Sequence, residues 1–324
     1  MSLRGLSANS VSHWLREPYI LSGYRRIGLS PVSCVKTMFR SDNNEVVNFW
    51  THFVPFMVWA YWLWDSYRDI TDTRYLPLVC YWVGSLLYTF LSSFAHLFNA
   101  ISYKFRHFCF FMDYSGIALY EMGGIIASFY YYRPLNRPTF QFEYTYLGLG
   151  ALLTMSVVPI TCLSRFYWRR YRFIIRSLAY MQPFLWSNTL IYVLYLFPDG
   201  SETFIYKQLY SHFAIVVFSI LLVFVFASKL PERLSPGSFD IIGGSHQWAH
   251  VFSTAVTTLH LRLMKTDIDN RWPELMIQSV KPTFLTTAWL LGFCTFWMVG
   301  ISSCIFVYVY KGILVEEDNN NKEE

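Results

Sequence analysis

Charged residues are scarce in this sequence. Asp, Glu, Lys and Arg make up 15% of its 324 residues, where an ordinary soluble domain carries about 25%. That deficit argues against a soluble globular chain. No CxxC pair occurs among the six cysteines, Cys34, Cys80, Cys109, Cys162, Cys294 and Cys304, so neither a disulfide framework nor a thiolate zinc knuckle is expected. The net charge of +5 is spread thinly; without a dense basic stripe or RNA-binding motif, no nucleic-acid partner is expected. The N-terminal segment lacks an apolar core with a small-residue cleavage site, which speaks against a cleavable signal peptide and for an uncleaved first anchor. Paired helices broken by Gly or Pro, the mark of many transport sites, are missing as well. No internal repeat or long linker divides the chain.

What is abundant is apolar and aromatic: 54% and 20% of residues. Twelve Trp, 24 Tyr and 29 Phe supply ample material for the aromatic belts of a bilayer interface. A spanning helix needs about 20 mostly apolar residues. Eight such runs occur, at 46–66, 76–98, 108–130, 144–164, 175–196, 208–228, 241–262 and 284–310. The expected fold is an all-α membrane protein, a seven-transmembrane helix bundle with an eighth, C-terminal helix. Residues 1–45 form an N-terminal segment, 46–310 the membrane domain and 311–324 an acidic tail that reads as disordered. Placing the N-terminus in the cytoplasm puts 17 of the 26 basic residues on the inside, as the positive-inside rule favours.

Five ionisable residues fall inside these spans, where each is costly and a candidate functional group: His96, Asp113, Glu121, His246 and His250. Alternating span direction brings four of them to one depth. His96 ends the second span, Asp113 lies in the first turns of the third, and His246 and His250 open the seventh. His246 and His250, four residues apart, share one helix face. Three imidazoles match the ligand set of catalytic zinc, with a fourth position left for water. Such a site makes a nucleophile near neutral pH. Asp113 could hold or deprotonate the water, and Ser92, one turn before His96, could donate a hydrogen bond to it. The remaining histidines, His13, His52, His107, His212 and His260, read as loop, interface or packing residues.

Several separated segments, in order, carry a family resemblance: ILSGYRR (Ile20 to Arg26), NEVVNFWTH (Asn44 to His52), SSFAH (Ser92 to His96), DYSGIALY (Asp113 to Tyr120) and LPERLSPGSFDIIGGSHQWAH (Leu230 to His250). In these the chain resembles the progestin and adipoQ receptor family, particularly its membrane progestin receptor branch. The resemblance implies a seven-helix bundle with a cytoplasmic N-terminus, an eighth helix, and zinc held at His96, His246 and His250, with Asp113 and Ser92 beside it. Two departures, Gly244 in place of a further His and Ala249 in place of a bulky residue, leave these positions intact and alter the surroundings of the seventh span.

Two functions compete. The branch resemblance implies a plasma-membrane receptor for a progestin-like steroid or another lipid, with a G protein as signalling partner. Gln182, Glu121 and Asn188 are candidate polar groups for such a ligand, while Trp186 and Trp248 more often pack helices. The alternative is a zinc-dependent lipid amide hydrolase of the ceramidase type, with Asp113 as general base and Ser92 steadying the developing anion. A third use of the metal is structural, pinning spans two, three and seven together.

Overall fold

The computed structural model describes residues 5–66, 72–134, 139–197, 208–277 and 280–322. Arg4, Arg68, Arg137 and Lys207, counted above for orientation, lie outside them. Among the described residues the regular structure is helical, with one isolated bridge between Leu6 and Tyr24. A short helix α1 (Pro31–Thr37) precedes eight long ones: α2 (Val46–Asp65), α3 (Leu76–Phe98), α4 (Tyr103–Tyr132), α5 (Thr139–Leu163), α6 (Arg172–Leu196), α7 (Leu209–Ser228), α8 (Ser245–Leu275) and α9 (Leu290–Lys322).

Each expected span falls on one long helix. Among the described residues, four stretches qualify by length and apolarity alone to cross a membrane: Thr73–Phe98, Phe142–Leu163, Leu209–Ser228 and Leu285–Val309. The other four long helices, α2, α4, α6 and α8, carry more buried polar residues than these four stretches do. Helix α7 is the most exposed of the qualifying four, with 11% of its window buried, and turns Phe213, Ile220 and Phe224 outward. An apolar face of that kind requires lipid around it. The chain is an integral membrane protein with a helical bundle.

Helix α4 is the axis of the bundle. Ser102 caps it by accepting from Phe105 N at 3.1 Å, which satisfies one of the free N–H groups of the first turn. From Asp113 to Tyr132 nearly every residue is buried, against α3, α5, α6 and α9. The contact with α3 is close because glycines sit at it. A Cβ on Gly116 would lie 2.9 Å from Tyr88 Cα, and one on Gly123 only 2.7 Å from Cys80 O. Small residues are the usual means of bringing two membrane helices this near.

Two differences from the sequence expectation concern boundaries. Helix α8 starts at Ser245 rather than near 241, because Gly243 takes a left-handed φ of 86° and the preceding loop supplies the cap. Glu232 accepts from Ser245 N at 2.7 Å and from its hydroxyl. Helix α9 runs on to Lys322, through residues read as a disordered tail; no Pro or Gly after Gly312 stops it.

The N-terminal segment folds against the end of the bundle that holds the C-terminus of α3. Arg25 is buried there and donates to Leu97 O at 2.9 Å, Asn99 Oδ1 at 2.8 Å and Thr37 Oγ1 at 3.2 Å, as well as to His96 O. A guanidinium among the last carbonyls of a helix complements its dipole. It also fixes the turn of α3 that bears His96.

Candidate metal centre

Helix α3 delivers His96 and helix α8 delivers His246 and His250 to one point at this end of the bundle. Their nearest ring nitrogens all lie within 4.8 Å of one another. His96 Nε2 and His246 Nε2 are 3.3 Å apart, and the ring centroids of His246 and His250 are 4.5 Å apart. His96 and His250 are buried and His246 is half-buried. The convergence expected from alternating span direction is therefore present in the fold.

The other ring nitrogens have partners. His96 Nδ1 lies 2.6 Å from Glu45 Oε2, and His250 Nδ1 lies 3.2 Å from the carbonyl of Asn48 and 3.0 Å from Thr51 Oγ1. A carbonyl and a carboxylate only accept, which assigns the proton of both rings to Nδ1 and leaves Nε2 bare. Glu45 belongs to a chain of contacts in which Asn99 Nδ2 donates to Glu45 Oε1 at 2.8 Å and Arg25 donates to Asn99. Burial works against the charge of Glu45, but His96, Arg25 and Arg106 outweigh it and hold its carboxyl below the usual range.

Asp113 is buried on α4, and Ser92, one turn before His96, is buried on α3. Asp113 lines one cavity with His96 and His246, while the Ser92 hydroxyl lies 2.8 Å from His52 Nδ1. That cavity, of ≈ 180 Å³, opens the site to other polar groups. Glu121 is elsewhere: eight residues further along α4, it stands roughly 12 Å away along the axis. It lines a separate cavity of ≈ 20 Å³ with Asn188, His212 and His260. Gln182 is exposed on the outside of α6. Trp186 packs on Tyr146, donating to its carbonyl at 3.0 Å, and Trp248 is exposed.

Four residues at the start of α2 escaped the sequence reading: Glu45, Asn48, Thr51 and His52. His52, expected to pack, does so directly on the site. Its ring stacks on His250, and its nitrogens lie 2.8 Å from Ser92 Oγ and 3.4 Å from Ser253 Oγ. The signal was the spacing 45, 48 and 52, which sets three polar side chains on one helix face.

A family model described as haemolysin-III related matches residues 40–261, a range that contains every residue of the site. Human membrane progestin receptor gamma is 33% identical over 290 residues, covering 86% of each chain. Mouse membrane progestin receptor delta is 33% identical over 281 residues, 85% of this chain and 82% of the relative. Human membrane progestin receptor alpha is 27% identical over 325 residues, 94% and 87%. With a matched bundle and relatives aligned over most of their length, this chain belongs to the haemolysin-III related family, the progestin and adipoQ receptor family of the sequence motifs.

Proposed function

We propose that this protein is a plasma-membrane receptor for a steroid-type lipophilic ligand, built around a zinc ion held by His96, His246 and His250, with its N-terminus in the cytoplasm and a G protein as partner. The observation that carries the metal is the convergence of three imidazoles, two with the proton assigned to Nδ1 by an acceptor-only partner. Two nitrogens bound to one tetrahedral zinc stand about 3.3 Å apart, the separation of His96 Nε2 from His246 Nε2. Glu45 behind His96 is the kind of carboxylate that orients a ligating imidazole. The receptor itself is supported by the relatives, whose names describe membrane progestin receptors.

The cavity of ≈ 180 Å³ is smaller than the about 300–1,000 Å³ of sites for drug-sized ligands. A whole steroid therefore requires the bundle to widen, or lodges only its polar end there.

A second reading is favoured by Asp113 and Ser92 beside three, rather than four, metal-binding groups: a zinc-dependent lipid amide hydrolase. Bound zinc supplies a Lewis acid and lowers the pKa of water. Asp113 is the adjacent carboxylate able to take up a proton, and Ser92 the hydroxyl able to hold an anionic oxygen.

Purified full-length protein decides between them by metal analysis, radiolabelled progesterone binding and fatty-acid release from a ceramide panel. Saturable steroid binding with stoichiometric zinc, both lost in His250→Ala, is the expected result. Stoichiometric zinc in His250→Ala overturns the metal assignment. Ceramide hydrolysis that requires Asp113, without saturable steroid binding, overturns the receptor in favour of the hydrolase.

A further inference from the structure

The cavity next to the histidines is lined by five carboxylates, and four of them are engaged. Glu45 binds His96 and Asn99. Glu232 caps Ser245. Asp240 accepts from Leu21 N at 3.0 Å and Ser22 Oγ at 2.7 Å. Glu17 pairs with Arg172 at 2.9 Å. Five cations line it as well, Arg25, Arg106, Arg165, Arg176 and Lys229. Arg25 is bound to the end of α3 and Arg106 stands 4.0 Å from Glu45, which leaves Arg165, Arg176 and Lys229.

Among the described residues no carboxylate lies within salt-bridge distance of any of the three. Arg165 donates from Nε to His107 Nδ1 at 2.9 Å and packs its guanidinium on Phe110, 4.3 Å from the centroid. Arg176 donates from Nε to Ser164 Oγ at 3.0 Å, while its Nη2 is buried with no hydrogen-bond partner. The Lys229 ammonium stands 3.4 Å from the centroid of Phe173. All three residues are buried, Arg176 to 6% exposure.

A structural explanation covers only part of this. Arg165 follows α5 and Lys229 follows α7, and cations at helix C-termini are stabilised by the dipole. Arg176 stands in the opening turns of α6, the end where the dipole disfavours positive charge. A buried guanidinium with an open N–H there costs stability unless something fills the place in front of it.

The cavity lining is balanced in charge, five cations against five carboxylates, but Arg165, Arg176 and Lys229 carry no ion pair among the described residues and Arg176 Nη2 lacks an acceptor. A fatty-acid carboxylate offers only two acceptor oxygens to these three cations. A phosphomonoester carries about −1.5 to −2 near neutral pH and offers three strong acceptor oxygens, and arginine forks match phosphate geometry. The cavity volume suits such a group better than a complete lipid, and Ile117, Phe110 and Phe226 give the same space an apolar side.

We propose that Arg165, Arg176 and Lys229 form a binding site for a phosphomonoester group, carried by a membrane lipid or by a small soluble phosphate. The site shares its cavity with His96 and His246 but draws on neither imidazole.

Full-length protein in phosphatidylcholine nanodiscs is titrated by calorimetry with dioctanoyl phosphatidic acid, dioctanoyl phosphatidylcholine and glycerol 3-phosphate, with metal content read on the same samples. Phosphatidic acid binds, its choline diester does not, and Arg176→Gln and Lys229→Asn each weaken binding at least about tenfold, the scale of one charge-assisted hydrogen bond. Arg176→Lys restores part of the loss. Glycerol 3-phosphate equal to phosphatidic acid assigns the site to soluble phosphates; a weaker interaction by about tenfold or more assigns it to lipid. Lys229→Asn decides the matter if Arg176→Gln does not fold, because Asn accepts the left-handed backbone at that position. Equal binding of acid and choline diester, or unchanged binding in the variants that fold, overturns the proposal. Absence of zinc with intact phosphate binding would refute the metal reading alone.

Discussion

The ring of His52 lies flat on the ring of His250, with centroids 3.7 Å apart and planes 7° from parallel. His52 reaches across from α2, held by Ser92 of α3 and Ser253 of α8, so three helices meet behind one imidazole of the proposed metal centre. In the proposed metal centre it is a positioning residue, holding the plane in which His250 presents Nε2. His52→Ala should leave the protein folded and weaken zinc by about 10–100-fold, the usual cost of removing a group that orients a ligand. His52→Phe keeps the stacked surface and should retain part of that affinity. Competition with a chelating dye measures both; equal zinc affinity in wild type and His52→Ala removes the role.

Glu45 acts on the second imidazole in the same way, through a 2.6 Å contact with His96 Nδ1. Glu45→Gln keeps the shape and loses the charge, and should lower zinc affinity by about tenfold or more. Glu45→Ala also strands Asn99 Nδ2, whose acceptor is Glu45 Oε1. A further loss of thermal stability of about 1–3 kcal/mol is expected, the cost of an unsatisfied buried donor. Thermal unfolding with and without zinc separates the two effects. A Glu45→Gln variant that binds zinc as wild type does would show that the carboxylate serves only the helix end.

These two residues mark the limit of what the sequence disclosed. The long helices were legible because each is a run of apolar residues bounded by charge. The triad was legible because His246 and His250 share a face and alternation of direction carries His96 to the same depth. Glu45 and His52 were not, since a polar residue at the first turn of a span looks the same whether it faces water or a neighbouring helix. Gln182 shows the converse: polar and central in sequence, it faces outward. Helix rotation, set by tertiary packing, decides both cases. The start of α8 was misplaced because the apolar pair Ile241 and Ile242 extends the hydrophobic run into a loop that Gly243 and Glu232 terminate.

The close packing of α3 on α4 should make the bundle sensitive to one methyl group. At Gly123 a Cβ would sit 2.7 Å from Cys80 O and 2.8 Å from Tyr81 Cα, both backbone atoms that cannot step aside. Gly123→Ala is expected to destabilise the protein by about 1–3 kcal/mol, as overpacking does. Gly148, on the outer side of α5, has nothing within 4 Å of its ideal Cβ; Gly148→Ala should be neutral or gain up to about 1 kcal/mol of helix propensity. Thermal unfolding in one detergent compares them. Equal midpoints for the two variants would mean that α3 and α4 are farther apart than described.

Lys229 is the cation of the proposed phosphate site whose charge changes nearest neutral pH. It follows α7 in a left-handed conformation, φ 60°. Burial, aided by Arg172 and Arg176 of α6 and opposed by Glu17 and Glu232, brings its pKa down to about 8. Below that value it is an ammonium and attracts the ligand; above it the charge is lost. A phosphomonoester takes up its second negative charge above pH about 6. Dianion and ammonium therefore coexist between about pH 6 and about pH 8, and the affinity for phosphatidic acid should be greatest there. The bound dianion favours the ammonium, so the alkaline decline in the complex falls somewhat above 8. Lys229→Arg should abolish this decline, because a guanidinium stays charged, and leave the acid limb, which belongs to the ligand, unchanged. Calorimetric titrations from about pH 5 to about pH 9.5 cover both limbs. An alkaline limb that persists in Lys229→Arg would assign it to another group and remove Lys229 from the site.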